Sequence, residues 1–279
     1  VIRPLLQDDA FLADVAAAQA DAASGRLVIW WLGQSGFLVL YGGKFLLLDP
    51  YLSDSLTKKY AATDQPHVRM TERVVDPARL GFVSVVTTSH NHTDHLDAET
   101  LGPLFAAAPA AKLILPAANG DFVTQRLGAT AQARLVPLAD GERATVGEFT
   151  FEAVPAAHEE LAPHYAGFVV SAGPFRIYHS GDTVRFPGMA ERLLPLAVNL
   201  ALLPINGRAP ERRVSGNLDG VEAATLAHDI GARCVVPCHY ELFEFNTASP
   251  APFVAACDRL GQRYAVLRAG ERLTLDPTA

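Results

Sequence analysis

The run Ser89-His90-Asn91-His92-Thr93-Asp94-His95-Leu96-Asp97 limits the possible folds of this chain more than any other stretch. It follows directly on the apolar, strand-like residues Phe82 to Val86 and places three histidines and an aspartate between positions 90 and 95. Imidazole nitrogens and carboxylate oxygens are ligands for first-row transition metals. A strand that ends in such a cluster lets a rigid sheet hold cations with little reorganisation. The plain alternative is a polar surface loop with chance histidines, and the downstream sequence argues against it. Val154 to His158 carries a histidine just past an apolar run, Tyr178 to Asp182 an aspartate in a glycine turn, and Val235 to His239 a further histidine. Together these give seven ligand-type side chains, His90, His92, Asp94, His95, His158, Asp182 and His239, enough for two ions.

Composition sets the outer bounds. The 279 residues are 49% hydrophobic, ample for a sizeable core in one large domain or two small ones. A formal net charge of -7 and a pI near 5.7 argue against a nucleic-acid surface, which is usually basic. They leave a small anionic substrate open, because a metal centre brings its own positive charge. No uncharged apolar stretch reaches the roughly 18 residues of a membrane span. The N-terminus lacks the charged-then-apolar layout of a signal peptide. The cysteines, Cys234, Cys238 and Cys257, are odd in number and sparse, which suggests reduced thiols and a cytoplasmic location. Cys234 and Cys238 do not form a CxxC pair and read as packing residues.

Local patterns predict a helix over 8–23, capped by Asp8 or Asp9, with Phe11, Leu12, Val15 and Ala18 on one face. Short apolar runs at 27–32, 36–41 and 44–48, broken by Gly33-Gln34-Ser35-Gly36 and Tyr41-Gly42-Gly43-Lys44, predict an antiparallel meander. Residues 51–75 read as a long functional loop. Then follow a strand at 82–87, a helix over 98–107 capped by Asp97, a strand at 112–115, a helix at 118–127 and a strand at 133–137. The second half holds strands at 143–146, 148–154, 167–172 and 175–179, a helix near 187–194 and a strand at 200–203. A helix from Asn217, a strand at 234–236 and a helix from Ser249-Pro250 to Gly261 complete it. Hairpin signals outnumber βαβ signals, so the pattern is α+β: two mixed sheets packed face to face with helices outside.

The HxHxDH arrangement of His90, His92, Asp94 and His95, with His158, Asp182 and His239 downstream, resembles the metallo-β-lactamase superfamily over nearly the whole chain. The resemblance implies a four-layer αββα sandwich spanning residues 1–279 as one domain. It implies that His90, His92 and His158 hold a first metal and Asp94, His95 and His239 a second, with Asp182 bridging. Asp94 and Asp182 are then the catalytic carboxylates. A closer resemblance is to the branch containing L-ascorbate-6-phosphate lactonase. It is carried by 30–36 (WWLGQSG), 49–54 (DPYLSD), 178–182 (YHSGD), 206–208 (NGR) and 237–240 (PCHY) with Asn246. This chain is shorter, with an abbreviated loop after His158. Superfamily members that do oxygen chemistry at two irons carry a glutamate where this chain has His92, which favours hydrolysis.

These readings lead to a dinuclear metal-dependent hydrolase, with a metal-bridging hydroxide attacking a small lactone or phosphoester. The nitrogen and oxygen donor set suits Zn²⁺ or Mn²⁺, with Fe²⁺ possible. Two alternatives stand beside it: a phosphodiesterase acting on nucleotides or RNA ends, and a metal-bound binding protein without turnover. The expected partner is a small molecule, with no nucleic acid and no membrane; a homo-oligomer is possible. Asp49, at the end of the run 45–48, reads as a carboxylate behind a ligand histidine or as a turn aspartate before Pro50. Arg208, with Asn206, is placed to fork onto a phosphate or carboxylate, or to lie on the surface. Tyr240 is placed to donate to an oxyanion or to pack. His164 reads as an exposed loop residue, with a general acid or substrate contact as the alternative, His67 and His228 as solvated, and His179 as a strand residue or a contact behind the ligands rather than a ligand. Residues 51–75 and 206–217 are expected to shape the substrate pocket.

Overall fold

Glycine turns fold the first apolar runs into a meander in the computed structural model, which describes residues 1–277. Helix α1 (Asp8–Ala20) precedes β1 (Leu27–Gly33), β2 (Gly36–Tyr41) and β3 (Lys44–Leu48), which pair antiparallel. Tyr41 pairs with Lys44, and the two residues between them, Gly42 and Gly43, take φ of 57° and 75°. Such a two-residue turn needs positive φ at both positions, which glycine adopts without strain. The chain then changes to parallel crossovers. The short helix α2 (Ser55–Tyr60) leads to β4 (Val83–Thr87), helix α3 (Ala98–Ala107) to β5 (Lys112–Pro116), and α4 (Gly120–Leu127) to β6 (Leu135–Leu138).

The second half repeats the scheme with β7 (Arg143–Val146), β8 (Phe149–Ala157), β9 (Leu161–Ala172) and β10 (Phe175–His179) antiparallel. Helix α5 (Met189–Leu193), β11 (Leu200–Pro204), α6 (Gly220–Asp229) and β12 (Cys234–Cys238) add parallel strands. After α7 (Ala251–Leu260) the chain crosses back, and β13 (Arg272–Leu275) pairs antiparallel with β1. One sheet is ordered β13-β1-β2-β3-β4-β5-β6, the other β12-β11-β10-β9-β8-β7.

The sheets face one another across one continuous core. Phe37 of β2 packs edge-on against His179 of β10 with ring centroids 6.2 Å apart, and Tyr41 against Phe175 at 6.0 Å. Successive strand residues point to opposite faces. Trp30 accordingly meets Phe11 of α1 at 6.3 Å and donates its indole N–H to Asp14 at 2.8 Å. The α+β expectation of two packed sheets with helices is therefore the observed architecture. Among the described residues no helix is long and apolar enough to cross a membrane.

Several local expectations are corrected. Gln7, not an aspartate, holds the N-cap of α1; Asp8 and Asp9 lie in its first turn, where negative charge complements the helix dipole. The helix expected from Asn217 starts after Asp219, whose side chain accepts from Glu222 N while Glu222 accepts from Asp219 N, a capping box. Pro250 itself is the N-cap of α7, with Ser249 Oγ accepting from Ala251 N at 3.2 Å. A 3₁₀ turn over 129–134 delays β6 to Leu135. Asp97 caps α3 as expected, accepting from Glu99 N, and Gly261 ends α7 at φ 65°.

Candidate metal centre

Strand direction gathers the seven side chains. β3 and β4 are parallel, so Asp49 and the 89–95 run leave the first sheet at one edge. In the second sheet β9 is antiparallel to both β8 and β10, while β10, β11 and β12 are parallel. Hence β8, β10 and β12 all end at a common edge, and His158, Asp182 and His239 each follow one of those ends. Two groups result: His90, His92 and His158, and Asp94, His95, Asp182 and His239. Within each group the donor atoms lie within 4.8 Å of one another.

Asp182 stands between the groups. One of its oxygens, Oδ2, is 3.7 Å from His158 Nε2 and 3.2 Å from His239 Nε2; the other, Oδ1, is 3.3 Å from His95 Nε2. Asp94 Oδ2 lies 3.5 Å from His239 Nε2 and 3.7 Å from His95 Nε2. Gly181, at φ 58°, lets the turn place Asp182: a Cβ there would lie 2.4 Å from Ser89 Cβ.

Behind the histidines is a polar frame. Asp49 is fully buried and accepts from His95 Nδ1 at 2.7 Å, from Thr87 Oγ1 at 2.8 Å, and from Ser89 N and Oγ. The Ser89 hydroxyl also lies 3.0 Å from His90 Nδ1. His158 Nδ1 donates to Gly216 O at 3.0 Å. These contacts orient the His90, His95 and His158 rings with Nε2 toward the cluster. Gln34 belongs to the same frame; in the sequence it stands in the turn 33–36 and in the stretch 30–36 that carries the resemblance. Its Nε2 donates to Asp94 Oδ2 at 2.7 Å, and its carbonyl accepts from His239 N at 2.9 Å. Gln34, Asp49 and His239 hold φ of 50°, 37° and 61°, sparsely populated values for residues other than glycine.

The donor chemistry fits divalent cations. His90 Nε2 and His95 Nε2 are buried and have no hydrogen-bond partner. Such orphaned nitrogens are costly unless something satisfies them. Burial, reinforced by the neighbouring His95, pushes His90 well below its ordinary value, and burial also lowers His158, so both rings are neutral. Burial opposes charge on His95 and His239 as well, but Asp182 and Asp94 prevail. They hold His95 well above its usual value and raise His239 to about 9. In turn those rings keep Asp94 and Asp182 ionised against burial. Cations bound here would take the place of those protons.

The cluster opens into a cavity of about 610 Å³. Residues from 51–75 and 206–217 line it, as expected, among them Tyr60, His67 and Arg213. His164 is on β9 rather than in a loop and lines the cavity, its ring 4.2 Å from that of Tyr165. Glu159 Oε1 lies 3.8 Å from His92 Nε2 and accepts from Ser215 Oγ at 2.8 Å.

The three residues expected at the substrate are placed otherwise. Tyr240 is buried, stacks on Trp31 at 4.4 Å, and its hydroxyl donates to Leu267 O. Arg208 pairs with Glu222, Nη1 to Oε2 at 2.7 Å, because the capping box brings that glutamate to it. Asn206 is buried, donating to Asn246 Oδ1 at 2.9 Å and accepting from Asn217 Nδ2 at 3.0 Å. Of this group only its partner Asn246 reaches the cavity. His67 is only partly solvated: it is half-buried against Tyr60, Phe243 and Phe245. His228 is exposed, and His179 is a strand residue whose Nε2 donates to Ser35 O at 2.9 Å.

The family model described as the beta-lactamase superfamily domain matches residues 45–240. A UPF0173 metal-dependent hydrolase of Azorhizobium caulinodans is 28% identical over 254 residues, covering 87% of this chain and 98% of that protein. Among solved structures, a possible metal-dependent hydrolase of Veillonella parvula superposes with TM-score 0.73 at 15% identity, over 89% of this chain and 99% of that one. A metallo hydrolase of Ignicoccus hospitalis gives TM-score 0.66 at 21% identity, over 90% and 98%.

Proposed function

The chain belongs to the metallo-β-lactamase superfamily, and from that membership we propose a metal-dependent hydrolase with a dinuclear centre acting on a small ester-like substrate, a lactone or a phosphoester. The observation that carries the reading is the position of Asp182 between two ligand groups, beside buried histidine nitrogens that have no other partner. His90, His92 and His158 would hold one cation and Asp94, His95 and His239 the other, with Asp182 facing both. When bound, such a pair supplies Lewis acidity at a carbonyl or phosphoryl group and a water that ionises near neutral pH.

The chain's own part is to aim and hold. Asp49 accepts the His95 Nδ1 proton, so Nε2 is the nitrogen turned toward the site, where a cation would replace its proton. Gln34 holds Asp94 Oδ2. A cavity of about 610 Å³ suits a small molecule. The all nitrogen and oxygen donor set suits Zn²⁺ or Mn²⁺. The lactonase-like stretches at 30–36 and 49–54 supply Gln34 and Asp49, which favours the lactone side of the reading.

The test is chelation followed by reconstitution with Zn²⁺ or Mn²⁺, read on a panel of lactones, phosphodiesters and phosphomonoesters. Turnover is expected to vanish with the metal and return with it. Undiminished turnover by a metal-free His92→Ala variant contradicts the proposal.

A further inference from the structure

We propose that the cavity contains an aryl subsite, in which the wall built by Tyr60, His67, Phe243 and Phe245 receives a planar aromatic group of the substrate. The position of the scissile bond rests on the hydrolase reading; the wall itself does not.

Three separate segments make this wall. Tyr60 is the last residue of α2, His67 lies in the loop beyond it, and Phe243 and Phe245 follow β12. The His67 ring stacks on Tyr60 at 4.1 Å with planes 15° apart, and meets Phe245 at 4.4 Å and Phe243 at 5.3 Å. Backbone contacts fix the arrangement: Arg69 bridges to Phe243, and Thr57 Oγ1 donates to His67 O at 2.9 Å.

His67 is an aromatic surface here and not a cation. Its Nδ1–H donates to Gln65 O at 3.2 Å, and burial lowers its pKa below the ordinary value. Phe243 belongs to a small apolar cluster separate from the main core, with Tyr51, Leu56 and Leu242, and Tyr60 and Phe245 pack against it. Phe243 is buried in that cluster, whereas Tyr60, His67 and Phe245 are half-buried, and all four line the cavity that Asp94, Asp182 and His239 also line. Half-exposed aromatic rings in a cleft beside a ligand cluster are a recognition surface for a flat apolar group. Ring pairs at centroid distances of about 4.5–7 Å favour an aromatic partner over a saturated one of equal size.

The test separates the wall from the chemistry. Metal-free protein is titrated with phenylacetamide and with cyclohexylacetamide, neutral probes that differ only in an aromatic or a saturated ring, by ligand-observed NMR. The phenyl probe should bind about threefold to tenfold more tightly. That preference should disappear in Phe245→Leu and, as a second variant guarding against misfolding, in Tyr60→Leu. The same preference should appear in KM rather than kcat when the zinc-loaded protein is given methyl phenylacetate and methyl cyclohexylacetate. Equal binding of the two probes, or a preference unchanged in both variants, overturns the subsite. Retained phenyl preference in a protein that turns over no ester, or turns one over regardless of chelator, overturns the hydrolase reading and supports the subsite.

Discussion

Asp49→Asn removes the charge behind the metal ligands while preserving side-chain size. In the native protein Oδ2 accepts from His95 Nδ1 at 2.7 Å and from the Ser89 hydroxyl, and Oδ1 accepts from Thr87 Oγ1 at 2.8 Å and Ser89 N at 3.1 Å. An amide cannot reproduce that set. Turned one way, its NH₂ meets the His95 N–H; turned the other, it meets the Ser89 N–H, which keeps only its 3.1 Å contact to the remaining oxygen. The hydroxyls can rotate away, but neither N–H can. Losing one buried hydrogen bond to a charged acceptor costs about 1.5–3 kcal/mol. Partners behind metal ligands are worth about 10–100-fold in metal affinity, which matches that range. The cation held by His95 should therefore bind roughly tenfold to a hundredfold more weakly. The His90 group, reached only through the Ser89 hydroxyl, should lose less. Competition with a chromophoric chelator resolves the two steps, and circular dichroism verifies folding. Two unchanged dissociation constants in a folded Asp49→Asn protein would show that Asp49 does not support the cation sites.

Other outcomes follow from the same geometry. Cation uptake must displace protons from His95 and His239, the latter raised to about 9, so affinity should climb with pH from about 6 to about 9. Calorimetry in buffers of different ionisation enthalpy reads that release; none at neutral pH would mean the rings are already bare. Arg126 Nη1 donates to Asn91 O and Leu96 O, both at 2.8 Å, bracketing the loop that carries His92, Asp94 and His95. Arg126→Ala should weaken metal binding severalfold with partial rescue by lysine, and wild-type affinity in the alanine variant would remove Arg126 from this role. Tyr240→Phe should cost about 1–2 kcal/mol in denaturant unfolding, because Leu267 O loses its donor, yet leave turnover unchanged. A tenfold loss of kcat would return Tyr240 to the chemistry.

The convergence of the candidate ligands was legible because each of their segments follows the end of a strand readable from its own apolar run. Asp49 was legible for the same reason, ending the run that became β3. The meander and the parallel second half of each sheet also announce themselves locally, through glycine turns and helix caps. What was not legible depends on contacts distant in sequence. His67 sits in a polar stretch with no periodicity, and it is half-buried between Tyr60 and the rings of Phe243 and Phe245, which the chain after β12 brings over. Helix α2 is too short, at six residues, to show a helical face. Arg208 looked free because the capping box that presents Glu222 to it was misplaced by two residues. Tyr240 adjoins a candidate ligand in sequence, yet its neighbour His239 takes φ 61°, and Tyr240 itself stacks on Trp31.

Two cations are proposed to sit among seven particular side chains. Anomalous diffraction from crystals grown with zinc, collected on either side of the absorption edge, locates them. Two peaks are predicted, one enclosed by His90, His92 and His158 and one by Asp94, His95 and His239, with the Asp182 carboxylate facing both. A well-ordered crystal with no peak there, or with zinc bound only elsewhere on the protein, would contradict the account.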